Sequence, residues 1–195
     1  MVPILACSIV SLAIFLERLF SLRRRKIIPE DFLIQVEDLL KREKVDDALV
    51  LCRRYSSPIA RVLSSGIKNF GKRRELIKER IEEGGRFEAT ELSRFVEVLS
   101  TIASVATLLG LLGTIAGLIE VFGVVSTQAV VSPPSLAHGI SVALYTTAFG
   151  LSVAIPTVIA HRFLAGKVDN LVNQMEVVSL EMLDLLKEKG EGALS

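Results

Sequence analysis

The sequence predicts an all-α integral membrane protein with three transmembrane helices and long helices extending into the cytoplasm. Two observations carry that prediction. The chain of 195 residues is 50% hydrophobic and still 23% charged, with a mean hydropathy of +0.49, so charged and apolar residues must be segregated along it. Two runs of 22 residues, Val98–Ile119 and Gly139–Ala160, contain no charge at all. At about 1.5 Å per residue each reaches roughly 30 Å, the thickness of a bilayer's hydrocarbon core. Such helices could instead form the core of a large soluble protein, but this chain leaves too little polar sequence to cover two of them.

The first span is the shortest. Val2–Leu16 is apolar and is followed by Glu17 and Arg18, then by Arg23, Arg24, Arg25 and Lys26. At helical rise it covers only about 22 Å, which puts Glu17 and Arg18 near an interface, where long side chains snorkel to water. The positive charges follow the apolar stretch instead of preceding it, which is the wrong order for a cleaved signal peptide.

Between residues 27 and 97 apolar residues recur at helical spacing. Phe32, Val36, Leu39 and Leu40 form one stripe, and Ala48, Leu51, Cys52 and Tyr55 continue it. Pro58 opens a further helix with Ile59, Val62, Leu63, Ile67 and Phe70 on one face, so this segment reads as amphipathic helices in water. From Glu75 the pattern is helical with a possible kink at Gly84 and Gly85, and it enters the second span without a break signal. After the third span, Leu171, Val172, Met175 and Val178 begin another amphipathic stripe that needs a partner helix.

Lys and Arg set the topology. Residues 23–97 carry 18 of the 23 basic residues, whereas Val121–Ala137 carries no charge. The positive-inside rule places the basic segment and the C-terminus in the cytoplasm, and the N-terminus and second loop outside. The resulting boundaries are 1–22 for the first transmembrane helix, 23–97 for the cytoplasmic helical segment and 98–126 for the second transmembrane helix. A periplasmic loop at 127–136, the third transmembrane helix at 137–163 and a cytoplasmic helix with its tail at 164–195 complete the chain.

The spans carry two kinds of chemistry. Ala103, Ala106, Gly110, Gly113 and Gly117 follow steps of three and four, and Ala143, Thr147, Gly150, Ala154 and Thr157 repeat the spacing. These are two flat faces on which helix backbones can approach closely in lipid, where association rests on packing. Pro156, which lacks an N–H, frees a carbonyl one turn earlier and should bend or shape the packed bundle. Ser100, Thr107 and Thr114 recur every seven residues beside the glycine face, and Thr146 and Thr147 sit at mid-depth in the third span. A threonine in a membrane helix often bonds its own backbone four residues back; a line of hydroxyls facing threonines on a neighbour also fits a narrow, wet passage.

Glu120 is the only acid between residues 98 and 168, and a carboxylate at membrane depth costs at least about 2.5 kcal/mol unless it reaches water or a partner. Two readings stand: it meets interfacial water at the outer end of its helix, or it lines a proton entrance with His138 as a neighbour. Other chemistries have little support. Two histidines and two cysteines fall in different parts of the chain, without a metal spacing, a cofactor motif or a nucleophile–base pair. The net charge of +1 gives no case for nucleic acid, because the basic surplus is local and juxtamembrane.

GLLGTIAGLIEVF in the second span and GISVALYTTAFGLSVAIPTVIAHRF in the third resemble the MotA/TolQ/ExbB proton-channel family, and three spans favour its TolQ/ExbB branch. LERLFSLRRR and SPIARVL support the resemblance, which covers nearly the whole chain. It implies a multi-pass protein of the cell inner membrane, a pentamer whose second and third spans line a pore. It further implies an ExbD/TolR-like partner whose single span carries an aspartate, and a TonB/TolA-like periplasmic transducer driven by the proton-motive force. The family's pore threonines fall on Thr114 and Thr147, while the third-span position commonly held by glutamate is Val142 here. Thr107 is a second departure, standing where many relatives have proline. A stator of the MotA kind and a non-conducting membrane scaffold are the alternatives.

Overall fold

The computed structural model describes residues 2–127 and 133–192. Seven helices cover most of them: α1 (Val2–Ser21), α2 (Arg24–Ile27), α3 (Glu30–Lys41), α4 (Val45–Arg54), α5 (Pro58–Ile67), α6 (Arg74–Thr127) and α7 (Pro133–Gly192). There is no strand among the described residues. Three helices, α1, α6 and α7, contain stretches long and apolar enough to cross a membrane. The chain is therefore an all-α integral membrane protein.

Helix α6 is continuous for 54 residues, as the absence of a break signal before the second span requires. The kink expected at Gly84 and Gly85 does not interrupt it. Those glycines make room for neighbours instead: a Cβ on Gly84 would stand 2.8 Å from Ser65 Oγ, and one on Gly85 would stand 2.6 Å from Glu176 Oε1. Helix α7 likewise runs from Pro133 through Pro156 to Gly192. Its first residue is a proline, whose fixed φ suits a helix start and whose missing N–H is not needed there. Residues 133–136, read as loop from sequence, are thus helical, and residues 128–132 of that loop lie outside the described residues.

The chain divides into two compact units. The first comprises residues 1–18 and 95–164. Its interior holds the small residues Ala103, Ala106, Ala143 and Ala154 together with Val96, Leu99 and Leu164, while Leu108, Leu112, Ile119, Leu144 and Ile159 point outward. Large apolar side chains gain nothing by leaving lipid, so packing between small residues decides which faces meet.

The second unit comprises residues 19–94 and 165–195, and it is built in the usual sense for water. Phe32, Val36 and Leu40 of α3, Ala48 and Cys52 of α4, and Ile59, Val62, Leu63 and Ile67 of α5 are buried together with Ile81, Leu171 and Met175. Burying such side chains stabilises by about 1.5–3 kcal/mol each. Phe32 and Tyr55 close the α3–α4 pair with ring centroids 4.8 Å apart. Pro58 stands at the start of α5, and Glu43, at φ 60°, turns the chain between α3 and α4. Burial raises the Cys52 thiol to about 11, so it behaves as a packing residue and not as a nucleophile at neutral pH.

Candidate proton pathway

The small-residue faces of α6 and α7 meet. A Cβ on Gly150 would lie 2.7 Å from the Ala106 carbonyl oxygen and 2.9 Å from Gly110 Cα, distances only glycine tolerates. Thr146 fills the notch at Gly113, where an added Cβ would be 2.7 Å from the threonine Cβ. Gly117 faces Ala143 in the same way, its Cβ position 2.7 Å from that of the alanine. A Cβ added at Gly123 or Gly166, off this contact, would meet nothing within 4 Å.

This close approach brings Thr114 and Thr147 together. Their hydroxyls are in direct hydrogen-bond contact across the two helices. Thr147 Oγ1 also lies 3.0 Å from the Gly110 carbonyl, while Thr114 Oγ1 lies 3.4 Å from the carbonyls of Gly110 and Ala143. Each hydroxyl has one proton to give. The arrangement that uses the shortest contacts has Thr147 donating to Gly110 and Thr114 donating to Thr147, which leaves lone pairs on Thr114 Oγ1 to accept. Both residues are half-buried, so the pair is ordered by backbone carbonyls on one side and reachable on the other.

The other residues singled out from sequence are not part of this pair. Thr146 donates to the Ala143 carbonyl of its own helix at 2.7 Å. Thr107 is exposed and bonds back to Ala103 at 3.0 Å, the local bonding common for threonine in membrane helices. Pro156 is exposed on α7, beside Thr157, which is buried and donates to Val153 at 2.7 Å. Glu120 and His138 are both exposed, and no contact described joins them. Val142 is also exposed.

Three polar contacts were not anticipated. In the second unit Glu88 is buried and its carboxylate receives both Nε and Nη2 of Arg61 at 2.5 Å, a bidentate pair; Arg61 Nη1 donates to the Ser56 carbonyl at 3.0 Å. The hydrogen bond to Glu88 and the nearby charges of Glu88 and Glu91 hold the guanidinium's pKa above its usual value against the opposing effect of burial. A sign of this was present: Glu88 stands seven residues after buried Ile81, so an acid sits on the apolar stripe of α6 and must have a partner. Its identity, 27 residues away on α5, has no local signal. In the first unit, His161 Nε2 lies 3.6 Å from Glu97 Oε1, too long for a hydrogen bond, and Arg18 lies over the ring of Phe95 at 4.3 Å.

Two long helices packed through glycine, with a hydroxyl pair held between them within the apolar runs, define a helical membrane protein whose spans meet at a polar point. Residues 54–177 match the MotA/TolQ/ExbB proton channel family. Among similar proteins are a biopolymer transport protein ExbB homolog of Methanothermobacter thermautotrophicus, 27% identical over 84% of this chain and 58% of its own length, and the biopolymer transport protein ExbB of Aquifex aeolicus, 30% identical over 70% of this chain and 90% of its own. The Tol-Pal system protein TolQ of Haemophilus influenzae is 38% identical over 42% of this chain and 36% of its own. The chain belongs to the MotA/TolQ/ExbB proton channel family, in its ExbB/TolQ branch. It spans little more than half the length of the Methanothermobacter relative.

Proposed function

We propose that this chain is the proton-channel subunit of an inner-membrane motor that uses the proton-motive force to energise a periplasmic or outer-membrane process of the TonB or Tol type. The observation that carries this reading is the hydroxyl pair of Thr114 and Thr147, which joins the two motifs of the family resemblance at one point. In this reading α6 and α7 cross the membrane at 98–126 and 137–163, α1 crosses at 1–22, and residues 23–97 and 164–195 are cytoplasmic. A pentamer encloses an ExbD/TolR-like partner whose membrane aspartate takes up and releases protons, and a TonB/TolA-like transducer receives the motion. Because position 142 is valine, the partner's aspartate does the titrating near the pair, and the threonine hydroxyls with water accept and pass its proton. Glu120 lines the outer mouth.

Hydroxyl bonds between membrane helices contribute about 0.6 kcal/mol on average, so Thr114→Val and Thr147→Val should leave the assembly intact. Proton-driven work by the complex with its partner should fall sharply in both; full activity in both variants would defeat the pathway. Glu120→Gln should slow proton uptake without changing assembly, and an unchanged rate removes Glu120 from the pathway. Val142 favours a second reading, a non-conducting scaffold. Its mark is a stable complex with the partner that carries no proton flux.

A further inference from the structure

A groove of about 630 Å³ runs between α1 and the span portions of α6 and α7. We propose that it holds one acyl chain of an anionic phospholipid, with the lipid's phosphate at Arg18. The volume lies in the range of small-molecule sites, and the lining suits hydrocarbon. Phe15, Leu99, Pro156 and Phe163 supply apolar surface. Three of the four hydroxyl side chains in the wall are already committed to their own helices: Ser11 donates to the Ser8 carbonyl at 3.0 Å, Ser152 to Ala148 at 2.8 Å and Thr157 to Val153 at 2.7 Å. A polar ligand would find few donors there, whereas a hydrocarbon chain leaves none of these bonds unmade.

The charge lies at one end. Arg18 is one helical turn beyond Phe15 on α1, and Phe95 is one turn before Leu99 on α6, so the two lining residues and their neighbours stack in the same order. Arg18 and Phe95 touch, guanidinium over ring, at 4.3 Å. The Arg18 side chain is only 13% exposed. Its Nε lies 2.7 Å from Glu17 Oε2 but off the hydrogen-bond direction, and is buried without a hydrogen-bond partner. Glu17 is the more exposed of the two, at 56%, and can turn to water. A buried guanidinium donor that lacks a hydrogen bond, at the end of an apolar slot at membrane depth, matches a headgroup phosphate joined to an acyl chain.

The chain contains no tryptophan, which permits a direct test on the full-length protein in vesicles. Phe15→Trp places a fluorophore in the groove, and Leu108→Trp places one on an outward-facing position of α6. Vesicles of phosphatidylcholine carry a small fraction of lipid with brominated acyl chains, either phosphatidylglycerol or phosphatidylcholine, and quenching is read. The Phe15→Trp protein should show about a fivefold preference for the brominated anionic lipid, the contribution of roughly one basic residue at an anionic headgroup, and Leu108→Trp much less. Adding Arg18→Gln should abolish the preference and Arg18→Lys should restore most of it, with helicity and elution volume confirming the fold. Equal quenching by the two lipids overturns the headgroup assignment. No quenching by either overturns the groove as a lipid site and indicates that protein, such as a second copy, covers it.

Discussion

In the unit of residues 1–18 and 95–164, the contact between α6 and α7 is made by small residues, Ala106, Ala143 and Gly150 among them, and many large side chains, such as Leu108, Leu112 and Ile159, face outward while Leu99 and Leu164 are buried; in the unit of residues 19–94 and 165–195, Phe32, Leu40, Leu63 and Met175 are inside. Polar groups are treated differently too. Between α6 and α7 the first unit holds neutral hydroxyls bonded to carbonyls and to one another, whereas the second buries a carboxylate and answers it with a guanidinium. In lipid, close backbone approach and dispersion are what the chain can gain. In water, apolar area removed from solvent dominates and can carry the cost of one buried ion pair.

The largest effect should come from breaking that ion pair. Arg61→Ala leaves the Glu88 carboxylate buried and unpaired; removing one partner of a fully buried pair costs about 3–5 kcal/mol, and with the Arg61 side chain 50% exposed the loss should be about 2–3 kcal/mol. Glu88→Gln, which keeps a hydrogen-bonding group and frees a half-exposed arginine to reach water, should cost about 1–2 kcal/mol. Thermal or denaturant unfolding of the detergent-solubilised protein checks the order; equal losses would mean that the burial of Glu88 is not the source of the asymmetry.

A smaller effect tests the lipid-facing unit. Gly150→Val drives side-chain atoms into the Ala106 carbonyl and the Gly110 backbone, and overpacking of this kind costs about 1–3 kcal/mol. Gly123→Ala, on the same helix as Gly110 but in open space, should be neutral or stabilise by up to about 1 kcal/mol through helix propensity. If both glycines tolerate substitution alike, the glycine contact is not what holds α6 to α7.

The smallest effect is electrostatic. Burial, and then the charge of Glu82, raise the pKa of Glu176 against the pull of Arg86. A carboxyl whose folded pKa lies above its unfolded value favours folding when protonated and loses that contribution as pH rises through the folded pKa. Glu176→Gln should therefore melt slightly above wild type at neutral pH, with the gap closing as pH falls through that elevated value. A gap that widens in acid would reverse the sign assigned here.

Much of this architecture was legible because periodicity and charge segregation are local signals. The two 22-residue uncharged runs, the three–four spacing of small residues and the stripes of α3 to α5 are all visible without knowing what they touch. The role of Gly84 and Gly85 was only half legible, since glycine's flexibility and its small volume leave the same mark in a sequence; the helix continues through both, and the volume is what Ser65 of α5 and Glu176 of α7 use. The Arg61–Glu88 pair stayed hidden because partner choice across 27 residues depends on how α5 packs on α6. The threonine line was legible as a set, but its members differ. Thr114 finds Thr147 across the contact, whereas Thr107, seven residues earlier, finds only its own helix.

The most direct test of the central claim is proton flux. Vesicles containing this chain and the single-span ExbD/TolR-like partner proposed for it, loaded with a pH-sensitive dye and driven by a membrane potential, should take up protons. Uptake should fall in Thr114→Val and Thr147→Val and should persist in Ser104→Ala, an exposed hydroxyl that bonds only its own backbone. A well-assembled wild-type complex with no flux, or undiminished flux in both threonine variants, would contradict the account.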